Sequence, residues 1–311
     1  MLDWFRDGKP VKEPGYSTTL LGDAAVKLIE THDAKIPLFL DLAFNTPHAP
    51  FQAPEADLER YKDIADPARR AYAAQVTAMD AEIGRVVKAL DEKKMRDNTL
   101  IVFQADNGGT RNPMFSGEVD TSALKSLPPD NGPYREGKGT VYEGGTRVAA
   151  VANWPGRIKP GTVIDEMIHE VDLYPTLIGL AGASAAKAKV PLDGFDVWGT
   201  ISEGKPSPRT EIVYDLQPFR AGLRQGDWKL VWRTPLPQAV ELYNLATDPS
   251  EKDNVAAAHP DNVMGLQQRA NELAAAMVPP LMLQIEFKAM KRRLSLPPAL
   301  PDDDVIDGAA E

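Results

Sequence analysis

Short apolar runs alternating with stretches of helical periodicity set the main constraint on this chain. Ile36-Pro-Leu-Phe-Leu-Asp-Leu-Ala-Phe44 and Thr99-Leu-Ile-Val-Phe-Gln-Ala105 read as buried strands, and Arg147-Val-Ala-Ala-Val-Ala-Asn153 is a third candidate. The first run follows a helical pattern from Thr18 to about Thr31. Before the second, Asp66-Pro67 offers an N-cap with proline in the first turn, and apolar residues recur at Tyr72, Val76, Met79, Ile83, Val86 and Leu90. This alternation predicts an α/β fold, a mainly parallel sheet covered by helices on both faces.

In such sheets ligands bind beyond the carboxyl ends of the strands, which directs attention to the loops after Phe44 and Ala105. After Phe44 comes Asn45-Thr-Pro-His-Ala-Pro50, where the prolines exclude regular structure and present His48. An imidazole there can hand a proton or a hydrogen bond to a ligand near neutrality; the competing reading is a surface or packing histidine. After Ala105 comes Asp106-Asn-Gly-Gly109. Asp106 and Asn107 bring a carboxylate and an amide oxygen, hard donors suited to calcium or magnesium, but calcium takes about six to eight oxygens. Alone, the pair reads equally well as a polar turn. Gly137-Lys-Gly-Thr140 places Lys138 between glycines, so that backbone and ammonium can both approach an anion such as sulfate or phosphate. It lacks the spacing of a nucleotide-binding P-loop, and a flexible loop with a solvated lysine is the alternative. Ser207-Pro-Arg209 is not read as a nucleophile motif, because no evident base lies beside it.

Composition removes several function classes. The formal charge of −10 argues against a grip on nucleic acid, which usually needs a clustered basic face. There is no cysteine, so this sequence makes no disulfide, thiolate metal site or thiol nucleophile. No run approaches membrane-spanning length, and the first residues scatter charge where a signal peptide would be apolar.

From Ser184 to Pro208 the composition shifts to Ala, Lys, Gly and Pro, as expected of a connector. Glu211-Ile-Val-Tyr-Asp215, Ala221 to Trp232 with a turn at Gln225-Gly-Asp227, and Glu241-Leu-Tyr-Asn244 then predict a small antiparallel sheet. A helix from about Asp261 to Met277 is expected to cover it. The last residues, rich in proline and acid, predict a mobile tail.

Taken together and in order, several segments resemble the type I sulfatase family of the alkaline-phosphatase-like superfamily. They are Leu42-Ala-Phe-Asn-Thr-Pro-His-Ala-Pro50, Gln75-Val-Thr-Ala-Met-Asp-Ala-Glu-Ile-Gly84, Ala105-Asp-Asn-Gly-Gly109 and Gly137-Lys-Gly-Thr-Val-Tyr-Glu-Gly-Gly-Thr-Arg147. Trp154-Pro-Gly156, Asp172-Leu-Tyr-Pro-Thr-Leu177 and Glu241-Leu-Tyr-Asn-Leu-Ala-Thr-Asp-Pro249 continue the similarity, which runs from about Gly15 to Met277. The resemblance implies a mixed sheet flanked by helices, with its N-terminal part missing, and a small C-terminal antiparallel-sheet subdomain. The expected division is residues 1–200, 201–278 and an extension over 279–311.

The resemblance further implies hydrolysis of sulfate esters through a formylglycine nucleophile and a divalent ion, usually calcium. His48 matches the histidine that contacts the ester, Lys138 the lysine that binds a sulfate oxygen, and Asp106 and Asn107 two metal ligands. The family's Cys/Ser-x-Pro-x-Arg motif and N-terminal aspartate pair have no counterpart here. The chain is therefore expected to be a partial, inactive domain whose exposed sheet surface favours self-association or a complementary chain. The expected substrate is a small sulfate ester or a sulfated glycan. Two alternatives keep the same residues: a phosphate or phosphonate ester hydrolase, and a non-catalytic binding module. Family members often work in the periplasm, outside the cell or in lysosomes, and the sequence leaves the compartment open.

Overall fold

The structure, a computed structural model, describes residues 4–111, 127–184, 189–217, 220–233 and 239–277. The extension expected over 279–311, with its proline- and acid-rich tail from Pro297, lies outside the described residues. A two-residue ribbon, β1 (Phe5–Arg6) and β2 (Lys9–Pro10), precedes α1 (Ser17–Thr31), α2 (Glu55–Arg60) and the long α3 (Pro67–Glu92). Asp66 caps α3 by accepting the Arg69 N–H at 2.9 Å, and Lys94, at φ +56°, turns the chain away after its end.

Helices α1 and α3 pack through Ile29, Ala89 and Leu90. The face α3 buries is rotated from the predicted stripe: it consists of Ala68, Ala71, Ala74, Gln75, Ala78, Glu82, Ala89 and Leu90, while Val76 is exposed. Small residues let the two helices approach closely, and Gly22 of α1 lies against the Glu82 carboxylate. Glu82 is in turn neutralised by Arg85, which also reaches Asp23 on α1.

The predicted sheet changes most. Ile36–Phe44 forms no strand, and its side chains are largely exposed, Phe39 at 79% and Ile36 at 57%. Among the described residues no strand pairs with it, so the run has no ladder partners, and of its side chains Leu38 packs on the core between α1 and α3. The second run shortens to β3 (Ile101–Gln104), which is half-buried rather than buried. After α4 (Glu143–Thr146), β4 (Ala150–Asn153) pairs with β3, and the pairing is antiparallel, Ile101 facing Asn153 and Gln104 facing Ala150. The mainly parallel sheet is thus replaced, among the described residues, by one antiparallel pair.

Two short helices, α5 (Leu173–Leu180) and α6 (Trp198–Glu203), lead to the C-terminal part. Helix α6 falls where only a connector was expected. Buried Asp172 ties this region together by accepting two hydrogen bonds from the Arg209 guanidinium, at 2.7 and 2.5 Å, and backbone N–H groups of His169 and Phe195.

Strands β5 (Glu211–Gln217), β6 (Arg220–Gln225), β7 (Trp228–Arg233) and β8 (Ala239–Asn244) form one antiparallel meander. Gly226, at φ +53°, opens the predicted hairpin turn between β6 and β7. One face packs on α7 (Pro260–Ala276) through Leu223, Leu230, Leu242, Leu266 and Ala270. The opposite face carries Val231 and Tyr243, which pack on Val141 and Tyr142 of the loop that follows Lys138. Gly222 permits this close approach, since a Cβ there would press on Val141. The C-terminal sheet therefore has a helix on one side and the glycine-rich loop on the other. Among the described residues, no helix is long and apolar enough to cross a membrane.

Candidate active site

Two of the three sequence-predicted loops meet through their backbones. At the end of β3, the Ala105 N–H donates to Ala149 at 3.1 Å, and the chain turns through Asp106-Asn107-Gly108-Gly109. The Gly108 N–H then donates to the Gly145 carbonyl at 3.0 Å, and the Lys138 N–H to the Gly109 carbonyl at 3.2 Å. These contacts explain the glycines: a Cβ at Gly108 would overlap the Gly144 carbonyl, and one at Gly137 the Gly109 carbonyl. Asn131 clamps the joint, its Oδ1 accepting from the Gly109 N–H at 2.8 Å and its Nδ2 donating to the carbonyls of Gly109 and Glu136. Asp106, Asn107 and Lys138 are consequently anchored on one cradle.

Within it, Asp106 Oδ1 accepts the Asn107 N–H at 2.9 Å, and Asn107 Nδ2 donates to the Gly108 carbonyl at 2.9 Å. The amide nitrogen of Asn107 is thereby committed to the loop, and its oxygen remains the donor suited to a cation. Among the described residues no group of three or more His, Cys, Asp or Glu side chains could hold a metal ion. Asp106 and Asn107 have the donor chemistry calcium takes, and they supply two of its customary oxygens, about six to eight.

His48 is exposed and held separately. Its Nδ1 donates to the Ala49 carbonyl at 2.8 Å, so Nε2 is the ring nitrogen at which a proton is gained or lost. Gln75 of α3 donates to the carbonyls of His48 and Pro50, at 3.2 and 3.4 Å. The same helix reaches the cradle, because Arg69 hydrogen-bonds the Pro128 carbonyl a few residues before Asn131. Arg69 and Gln75 stand about 9 Å apart along the helix axis. Helix α3 thus links the His48 loop to the loop entering the cradle, although no described hydrogen bond joins the imidazole to the cradle itself.

The cradle rests on charged side chains of the C-terminal sheet. Lys229 of β7, fully buried, donates to Glu143 Oε1 at 2.8 Å and lies 3.1 Å from Glu251 Oε1. Nearby, Glu241 Oε2 accepts from the hydroxyls of Tyr142 and Tyr243, each at 2.7 Å. Burial and then the Glu241 carboxylate push the Tyr142 phenol up to about 12, so it stays a donor. Arg135 sits 4.0 Å over the Tyr142 ring and hydrogen-bonds Tyr243, adding cation–π attraction to the joint. Ser207 and Arg209 lie elsewhere: Ser207 Oγ donates to the Met167 carbonyl and Arg209 grips Asp172.

Sequence reasoning missed Asn131, Gln75, Lys229 and Glu251. Asn131 sits in an ordinary polar loop, and Gln75 is a buried polar residue among the alanines of α3. Lys229 did leave a signal, since strand alternation in Trp228-Lys-Leu-Val-Trp232 puts it on the same face as apolar Val231.

Comparison with known proteins agrees with this architecture. The sulfatase family model matches residues 2–183, and the model for the C-terminal part of N-sulphoglucosamine sulphohydrolase matches 136–276. The chain belongs to the sulfatase family. Mouse arylsulfatase J is 35% identical over 230 residues, covering 73% of this chain and 36% of that protein. Human arylsulfatase A is 30% identical over 291 residues, covering 84% and 54%. The crystal structure of Ps i-CgsB in complex with k-i-k-neocarrahexaose superposes with a TM-score of 0.74 at 29% identity, over 92% of this chain and 62% of that one. The chain thus spans roughly half the length of the relatives it matches and, with its mixed helices and strands, shares their α/β fold.

Proposed function

We propose that this chain carries the anion-holding part of a sulfate-ester hydrolase, with Lys138, Asp106 and Asn107 on the cradle and His48 on the loop that helix α3 links to it. The reading is supported by the backbone joint between Gly109 and Lys138, which ties the loop that carries Lys138 to the turn that carries Asp106 and Asn107. Lys138 binds a sulfate oxygen of the ester, and the hydrogen-bonded, glycine-packed backbone anchors the loop from which it reaches. His48 Nε2, with Nδ1 already committed to a carbonyl, delivers the proton to the departing oxygen. Asp106 and Asn107 contribute two ligands to a divalent ion, calcium in this reading; when bound, it supplies electrostatic stabilisation of the sulfate oxygens.

The substrate class we propose is a sulfated saccharide, supported by the likeness to a structure crystallised with k-i-k-neocarrahexaose. Calorimetric titration of the chain with inorganic sulfate in the presence of calcium tests the reading, together with turnover of para-nitrophenyl sulfate and para-nitrophenyl phosphate. Sulfate binding is expected, and Lys138→Ala is expected to weaken it about tenfold or more, the loss of one charge-assisted contact. Equal sulfate affinity in the variant, or turnover of the phosphate ester in preference to the sulfate, overturns it.

A further inference from the structure

Glu143 opens the turn that contains Gly144 and Gly145, and both its backbone and its carboxylate are held from the C-terminal sheet side. The Glu143 N–H donates to Glu251 Oε2 at 2.6 Å. Its Oε1 accepts from Lys229 Nζ at 2.8 Å and from the Tyr214 hydroxyl at 3.3 Å. The side chains of Lys229, Glu143 and Glu251 are 0%, 2% and 0% exposed. One ammonium thus serves two carboxylates out of reach of water, with Arg147 as a further cation 3.8 Å from Glu143.

We propose that Glu251 is a positioning residue for the anion cradle. It fixes the Glu143 amide, and with it the Tyr142–Gly145 turn. That turn sets Gly108 through the Gly145 carbonyl, and Gly109 sets the Lys138 backbone, so the placement of the Lys138 loop against the Asp106–Asn107 turn is braced from the loop that follows β8. The assignment of what the cradle binds rests on the sulfatase reading above; the positioning role does not.

Three features point to a dedicated role rather than an incidental ion pair. Glu251 adopts φ +54°, a left-handed conformation that costs a residue with a side chain and that glycine would relieve. Its carboxylate is fully buried, and burial pushes its acidity toward the neutral form against the pull of Lys229. One oxygen, Oε1, has the ammonium as charge partner but accepts no hydrogen bond, whereas Oε2 is spent on the Glu143 amide. The geometry therefore favours the backbone contact over a symmetric salt bridge.

The test uses the full chain with Glu251→Ala, Glu251→Asp and, as a stability match remote from the cradle, Leu266→Ala from the core beneath α7. Amide hydrogen exchange is read at Gly108, Lys138 and Gly145, with sulfate titration in parallel. Glu251→Ala is expected to speed exchange at Gly108 and Lys138 about tenfold or more, while Leu266→Ala speeds it in the sheet and α7 but leaves those amides within about threefold of wild type. If the alanine variant does not fold, Glu251→Asp carries the decision: it keeps the charge but withdraws the oxygens by one methylene, and faster exchange at the same amides is again expected. Unchanged exchange in a folded Glu251 variant, or equal acceleration by Leu266→Ala, overturns the proposal. Failure of the wild-type chain to bind sulfate overturns the sulfatase reading instead, and the exchange result still decides this one.

Discussion

Strand β7 and the Ile36–Phe44 run are both rich in apolar residues, yet the structure treats them oppositely. In β7, Leu230 is 0% and Val231 2% exposed, and even Lys229 is fully enclosed. In the earlier run, Phe39 stands 79% exposed. The difference lies in the neighbours. Strand β7 is hydrogen-bonded to β6 and β8 in register and sandwiched between α7 and the glycine loop, while Ile36–Phe44 has no strand beside it among the described residues. An apolar run states a demand for burial, and a ladder with a covering layer meets it.

The comparison breaks most sharply at Lys229. Lys229→Met keeps the length and apolar stem but leaves Glu143 and Glu251 buried without their ammonium. Removing one member of a buried ion cluster costs about 3–5 kcal/mol, and urea unfolding followed by tryptophan fluorescence is expected to show a loss of that size at neutral pH. The loss should shrink on acidification, since burial has pushed the Glu251 carboxyl above its ordinary value and it takes up a proton readily. A change below about 1 kcal/mol at neutrality would mean that the sheet's advantage over the early run owes little to the enclosed charges.

A smaller effect separates two buried carboxyl groups whose acidities are shifted in opposite directions. Burial pushes Asp172 up, but the Arg209 hydrogen bonds and the backbone amides of Phe195 and His169 outweigh it, so its folded value lies below the ordinary 3.8. Asp172 therefore stabilises the fold fully above that range and loses its contribution as pH falls through the folded value. For Glu251 the folded value is raised above 4.5, so its contribution is complete below that point and erodes as pH rises through the folded value. The stability gap between the wild-type chain and Asp172→Asn, measured by thermal melting, is expected to be widest near neutrality and to close below about pH 4. A gap that stays constant on acidification would show that the difference between the two side chains does not come from the ionised carboxylate.

The same contrast explains how much could be read from the sequence. The C-terminal strands and α7 were legible because their determinants are local: alternation, a glycine at Gly226 in the turn, and proline at the first position of α7. Helices α1 and α3 were legible for the same reason, with Asp66 as cap. The fate of Ile36–Phe44 and the antiparallel pairing of β3 with β4 depend on which segments stand alongside, and periodicity within a run carries no information about that. The joint between Lys138 and the Asp106–Asn107 turn lay half in view: the glycines announced close approach, but Asn131, which clamps it, has no local pattern to mark it. Alternation marks Lys229 as facing inward, but its pairing with Glu251 was hidden because it spans 22 residues of chain, from β7 to the loop beyond β8.

The smallest expected effect falls on the exposed run and sharpens the comparison from its other side. Phe39→Ser removes an aromatic ring that is 79% exposed and therefore contributes little burial to the fold. Substitutions at such surface positions shift stability by no more than about 0.5 kcal/mol, so the unfolding midpoint is expected to stay put. What should change is association, because Ile36, Phe39 and Leu40 together form an unpaired apolar edge of the kind that recruits another chain. Light scattering over a concentration series is expected to show the wild-type chain gaining mass with concentration and the variant gaining less. If stability instead drops by about 3 kcal/mol or more, the size expected for a buried aromatic, Phe39 is covered in solution and the run is not the exposed counterpart of β7. If both chains scatter as monomers at every concentration, an apolar edge of this length is tolerated without a partner, and burial demand alone does not drive assembly here.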